Sequence, residues 1–175
     1  MIIRKAEWSD LPEMLKSYAR ARQFMKETGN PNQWKDTNPS EAVVEQGIRD
    51  QKAYVCVAEG PEDGKEGEEL KAGDLLGTFY FAIEEDPTYH KIYKGSWLNE
   101  KPYGVVHRVA ASGRGKGFSG ACFDWAGRQC GNLKIDTHED NHVMQHVLEK
   151  NGFKRCGIIY LENGEERVAY QRVRE

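Results

Sequence analysis

Hydrophobic and polar positions change rhythm several times along the 175 residues, and the changes mark the elements. Ile2 to Ala6 reads as a short strand, and Asp10, Pro12 and Glu13 form a helix start. Leu11, Met14, Leu15, Tyr18 and Met25 then recur at helical spacing until Gly29-Asn30-Pro31 ends the run. Ser40 is placed to cap a second helix with Val43, Val44 and Ile48 as its buried stripe. Ala53 to Ala58 is a compact strand, and residues 61 to 69, without one apolar side chain, read as a solvated hairpin loop. Leu75 to Ile83 has the length and aromatic content of a central strand. From Glu84 to Gly104 the pattern is irregular, but Tyr89, Tyr93, Trp97 and Tyr103 predict that this connection folds back as a wall or lid. A β-branched strand starting at Val105 runs into a glycine loop and then a helix with Phe118, Ala121, Cys122 and Trp125 on one face. Leu133 to Thr137 is a strand, and Asn141 opens a helix burying Val143, Met144, Val147 and Leu148 that ends at Gly152. Arg155 to Leu161 and Arg167 to Val173 flank an Asn163-Gly164 hairpin turn.

The glycine loop adds chemistry to this pattern. In Arg114-Gly-Lys-Gly-Phe-Ser119 the glycines leave little bulk over the backbone, so N–H groups can approach an oxygen-rich ligand. The helix that follows contributes its unpaired N–H groups and positive dipole end, and Arg114 and Lys116 contribute full charges. A phosphate compound is expected on residues 114 to 119.

Composition narrows the field. The length suits one compact α/β domain over residues 1–175, and two would be cramped. A net charge of −3 argues against a general nucleic-acid binder, since there is no basic surplus to displace counterions. Cys56, Cys122, Cys130 and Cys156 show no paired spacing and read as reduced thiols of a cytoplasmic protein. The first residues lack an apolar signal core and no long apolar run follows, so neither secretion nor membrane association is expected.

Three motifs compete for the same region. Gly115, Gly117 and Gly120 fit the dinucleotide fingerprint, with Asp136 as a ribose ligand, yet only one further helix follows before an antiparallel hairpin. His138-Glu-Asp-Asn-His142 matches the zinc-protease pattern, but the strand before it and the cap at Asp140-Asn141 put His138 ahead of the helix carrying His142 and His146. A P-loop would need Ser or Thr after Lys116, where Gly117 stands.

The loop Arg114 to Ser119 resembles the acetyl-CoA diphosphate loop of the GNAT N-acetyltransferase superfamily, with Ser119 a small departure at its last position. Asp136 to Phe153 resembles the second hallmark of that family: a strand end, an Asn opening a helix, and a close in Glu-Lys-x-Gly-Phe. The order of elements agrees over most of residues 1 to 173. The resemblance implies an α/β (α+β) fold: a mixed, mostly antiparallel central sheet flanked by helices, with a diverging parallel strand pair holding the cofactor. It implies acetyl-CoA as cosubstrate, no metal, and a primary amine, small molecule or protein, as acceptor. Pantetheine would pair with the backbone of Arg108, Val109 and Ala110, and the diphosphate would rest on Gly115, Lys116, Gly117, Phe118 and Ser119 beside Arg114. Asn141 would lie along the pantetheine or simply cap its helix. His107 is the first candidate for general base, because it interrupts an apolar strand beside the expected thioester. Asp136 and His138 are expected on one side of the next strand's end and could act through water. Leu148 stands where the family often has a tyrosine acid, which moves that role to Tyr160 or to solvent. Trp34, Tyr80, Tyr89 and Trp97 are the expected acceptor wall. A noncatalytic acyl-CoA-binding domain is the competing reading, and oligomeric state is left open, a homodimer included.

Overall fold

A computed structural model describes residues 1–174. The strands are β1 (Ile2–Lys5), β2 (Ala53–Val57), β3 (Leu75–Ile83), β4 (Gly104–Ala111), β5 (Asn132–Thr137), β6 (Lys154–Tyr160) and β7 (Glu166–Val173). The helices are α1 (Leu11–Glu27), α2 (Glu41–Arg49), α3 (Phe118–Gln129) and α4 (His142–Lys150). The strands form one sheet in the order β1-β2-β3-β4-β5-β7-β6, and every neighbouring pair is antiparallel except β4 and β5. A doubly wound dinucleotide fold requires a run of parallel strands, so that rival loses its framework here. Among the described residues no helix is long and apolar enough to cross a membrane.

The sheet is covered on both faces. On one, Leu76, Phe79, Val106, Leu133 and Ile135 pack against Phe118, Cys122, Phe123 and Leu148 of α3 and α4. On the other, Val55, Val57, Leu75 and Ala110 pack against Met14, Tyr18, Val44 and Ile48 of α1 and α2. The same face continues under the 84–103 connection, where Tyr89 and Tyr103 join Val105, Ile159 and Ala169 in a third cluster. The aromatics of that connection do fold back, apart from Tyr93, which stays half exposed. Its backbone is pinned by Gln171, whose side chain accepts from the Leu98 N–H at 2.7 Å and donates to Asn132 Oδ1 at 2.7 Å.

Three local expectations change. Asp10 does not cap α1 with its side chain; it receives the Glu7 N–H at 2.8 Å and both Arg4 guanidinium nitrogens, so a 3-10 turn, Trp8–Asp10, leads into α1. Val43 lies one position off the stripe that α2 buries, which is Val44, Gly47 and Ile48. Val143 is 42 % exposed because it faces a cleft rather than the core. Other ends close as the residues dictate. Ser40 Oγ accepts from the Val43 N–H, and α4 finishes with the Phe153 N–H on the Leu148 carbonyl.

Two irregularities position the site. β4 and β5 stay in register only at Gly104–Leu133 and Val105–Lys134, then part. Between Tyr80–His107 and Thr78–Ala110 the register shifts, because β4 bulges at Arg108, which takes a φ of 54°. A bulge re-aims the residues around it. The Arg108 carbonyl is held outside the ladder by the Tyr18 hydroxyl at 3.1 Å.

Candidate active site

A cleft follows the gap between the parting strands. Its first section, about 480 Å³, surrounds the glycine loop and is walled by residues 113–120 with Arg20, Lys65, Val147 and Lys150. A middle section of about 200 Å³ is mostly apolar, between Phe24 and Met25 of α1 and Val143, Met144 and Val147 of α4, floored by Val109 to Ala111. The far section, about 280 Å³, holds Asp86, His107, Asp136 and Trp34. Adjacent sections share wall residues: Arg20 and Ser119 at one junction, Val109 and Asn141 at the other.

The glycine loop is braced from behind. The Gly115 N–H donates to the Glu68 carboxylate at 3.0 and 3.1 Å, and the Lys116 N–H donates to the Asp63 carbonyl at 3.0 Å. Arg114 reaches Asp74 at 3.0 Å and the Glu69 carbonyl at 2.8 Å. Hydrogen bonds from the Lys65 and Gly115 N–H groups hold the Glu68 carboxyl below its usual range. The 58–74 loop, whose residues 61–69 read from sequence as merely solvated, is therefore a clasp on residues 113–116. This corrects the diphosphate assignment. The Gly115 and Lys116 N–H groups and the Arg114 guanidinium are engaged internally, which leaves the N–H groups of residues 117–120 without partners among the described residues. Phe118 contributes only its N–H, since its ring is buried against Phe79. A Cβ on Gly117, at φ +80°, would meet nothing nearer than Met1 at 3.8 Å, so the space over this turn is open. Lys116, Arg20 and Lys150 are the unpaired cations around it among the described residues. Arg20 and Lys150 carry no sequence signal; tertiary packing alone brings them here.

At the opposite end the polar groups converge. His107 Nε2 lies 2.9 Å from Asp86 Oδ2, and its Nδ1 lies 4.0 Å from Asp136 Oδ1. The Tyr89 hydroxyl donates to Asp136 Oδ1 at 2.6 Å, and burial together with that carboxylate raises its pKa well above the ordinary tyrosine value. Burial pushes the Asp86 carboxyl up, but hydrogen bonds from His107 and Thr88 outweigh it and bring the pKa to about 2. Asp86 opens the turn Pro87–Tyr89 inside an irregular connection, and no spacing in the sequence tied it to His107.

Of the residues expected in this region, His107, Asp136, Arg108, Val109, Asn141 and Trp34 line the far section, and Ala110 and Ser119 line the middle. Asn141 caps α4, its Oδ1 accepting from the Met144 N–H, while its Nδ2 donates to Gln33. Gln33 also accepts from Thr137, tying the α1–α2 connection across the mouth. Five expectations fail. His138 turns away, its Nδ1 accepting from the Asp140 N–H, and it stands before α4, so the zinc-protease geometry never forms. Tyr160 is exposed, packs edge-on against Tyr93 and donates to Glu166. Tyr80 is drawn aside by Glu84, under the Arg108 guanidinium. Trp97 sits behind Tyr89, donating to its carbonyl at 2.9 Å and covering the Lys134 ammonium. Tyr89 itself is buried and supports Asp136 rather than forming a wall.

No family model matches the chain, and no curated protein matches its sequence. Solved structures do. A GNAT-family acetyltransferase from Streptococcus agalactiae superposes with a TM-score of 0.83 at 27 % identity, covering 99 % of this chain and 95 % of its own. The chain belongs to the GNAT superfamily. A GNAT-family acetyltransferase from Listeria monocytogenes shares the fold at TM-score 0.67 and 17 % identity, covering 99 % and 94 %. A ribosomal-protein-alanine N-acetyltransferase from Brucella melitensis does so at 0.56 and 17 %, covering 99 % and 100 %. In this GNAT chain the mixed sheet and the single parting pair β4–β5 match the fold expected from sequence.

Proposed function

We propose that this GNAT protein is an N-acetyltransferase, moving an acetyl group from acetyl-CoA to a primary amine by direct attack. One observation carries the reading: a continuous cleft joins an open amide-lined turn, through an apolar trough, to a histidine held between two carboxylates. Its sections match the parts of the donor in order. The diphosphate fits the N–H groups of residues 117–120, with Lys116, Arg20 and Lys150 as counter-charges. Pantetheine fits the trough over Val109 and Ala110, which places the thioester near the β4 bulge and His107.

The acceptor arrives as an ammonium ion, which has no lone pair to attack with. His107 is the group placed to take its proton, with Asp86 at 2.9 Å on one side and Asp136 at 4.0 Å on the other. Attack on the thioester carbonyl forms the N–C bond, and a β4 backbone N–H near Val109 is the assigned oxyanion donor. Collapse breaks the C–S bond, and the proton lost by the tetrahedral nitrogen goes to the departing sulfur. That route needs no tyrosine acid, in keeping with Leu148 being core and Tyr160 remote. We assign the whole chain to one catalytic domain, and its four free cysteines support the reducing cytoplasm as its setting.

The test is thiol release from acetyl-CoA across a panel of primary amines, run beside CoA titration. Amine-dependent release supports the enzyme. Tight CoA binding with no release for any amine supports the binding-domain alternative instead.

A further inference from the structure

We propose that Asp86 is a positioning residue that fixes His107 as its Nε2–H tautomer, leaving Nδ1 as the atom that receives the acceptor's proton. Three fixed contacts orient the carboxylate. Asp86 Oδ1 accepts both the Thr88 N–H at 2.9 Å and the Thr88 hydroxyl at 2.7 Å, and the Asp86 N–H donates to the Tyr103 hydroxyl at 2.9 Å. Only Oδ2 is left for the imidazole, and it lies 2.9 Å from Nε2. An ionised carboxylate can only accept, so Nε2 must carry the hydrogen, and in the neutral ring Nδ1 is then the lone-pair atom. Nδ1 looks toward Asp136 across 4.0 Å. That separation is too long for a hydrogen bond, and Asp136 Oδ1 is instead engaged by the Tyr89 hydroxyl at 2.6 Å. Other groups facing the imidazole are Tyr80 and Glu84 from β3 and its end, and Arg108 beside it on β4; none of them forms a hydrogen bond to either ring nitrogen.

In the step this implies, the ammonium gives one proton to Nδ1, producing imidazolium and a neutral amine, and the imidazolium later returns that proton to solvent. The catalytic half rests on the acetyl-transfer reading above; the tautomer does not.

Asp86→Asn separates the two. Thr88 donates twice to Oδ1, so the amide must keep its oxygen there and present its NH2 to His107. An NH2 can only donate, which forces the hydrogen onto Nδ1 and abolishes the base. The measurement is long-range 1H–15N correlation of the His107 ring above pH 8, with kcat, KM for acetyl-CoA and CoA affinity on the same samples. Expected are an Nε2–H ring in the unaltered protein, an Nδ1–H ring in Asp86→Asn, and kcat lower by ~100-fold or more at near-constant CoA affinity. His107→Gln should match that loss, and combining the two substitutions should add little. An Nδ1–H ring in the unaltered protein, or a tautomer unmoved by Asp86→Asn, overturns the positioning role. An inverted tautomer with kcat retained overturns Nδ1 as the base. If no amine in the panel makes the unaltered protein release thiol, the acetyl-transfer reading and the Nδ1 base fail together, and the spectrum alone decides the Asp86–His107 pairing.

Discussion

Gly117 works through the side chain it lacks. Its φ of +80° suits glycine, and the nearest atom to the site a Cβ would occupy is Met1 Cε, 3.8 Å away. Gly117→Val should cost about 1–2 kcal/mol of stability through left-handed strain. It should weaken CoA binding by at least roughly tenfold, about 1.4 kcal/mol, through crowding. Calorimetric titration with CoA beside a melting curve checks both, and unchanged affinity would move the diphosphate elsewhere. Gly115 behaves differently, since a Cβ there would press within 2.5 Å of Leu76 Cδ2. Substitution of Gly115 is therefore expected to damage folding first. The two glycines are alike in the sequence, and their surroundings separate them.

Among the elements, the β2–β3 connection has the largest unforeseen role. It pins the loop between β4 and α3 through Glu68, Asp63, Asp74 and Lys65. A loop already held in its binding shape loses less entropy when the ligand arrives. Glu68→Ala should speed amide exchange at residues 113–117 and reduce CoA affinity several-fold, with little change at β5 to β7. Hydrogen exchange followed residue by residue checks this, and unaltered protection of Gly115 would refute the clasp. The pattern reading of the elements was accurate where an apolar run or stripe was long, as in β3 and α1. It erred at Val43 and Val143, because a stripe names an apolar face without saying whether core or cleft lies opposite.

For the molecule as a whole, one partly buried and one buried charge make stability depend on pH in opposite ranges. Asp86, with a folded pKa of about 2, favours the folded state above the ordinary carboxylate value. That contribution should fade as pH falls from ~4 toward 2, and Asp86→Asn should flatten this part of a urea-unfolding profile. Lys134 is the reverse case. Burial between Trp97 and Tyr103 lowers its pKa to about 8, so the unfolded chain binds the proton more tightly. Stability should therefore rise with pH from about 8 toward the ordinary lysine value. Lys134→Met should raise the melting temperature at pH 7, by about 2–4 °C for each kcal/mol gained, and the gain should shrink by pH 10. An equal gain at both pH values would show that the ammonium is not under strain.

The sequence by itself determined the order of elements, the glycine turn ahead of α3, the cap at Asn141, the hairpin at Asn163-Gly164, and His107 and Asp136 as candidates. Each of these is a local matter of backbone preference, side-chain period or a polar residue interrupting an apolar run. Only the tertiary structure decided that Asp86 meets His107, that Arg20 and Lys150 face the glycine turn, and that His138, Tyr160, Tyr80 and Trp97 stand apart from the cleft. Those outcomes depend on where β4 bulges and leaves β5, and on how an irregular connection lies across the sheet. They are set by packing between distant segments, and no local pattern encodes them.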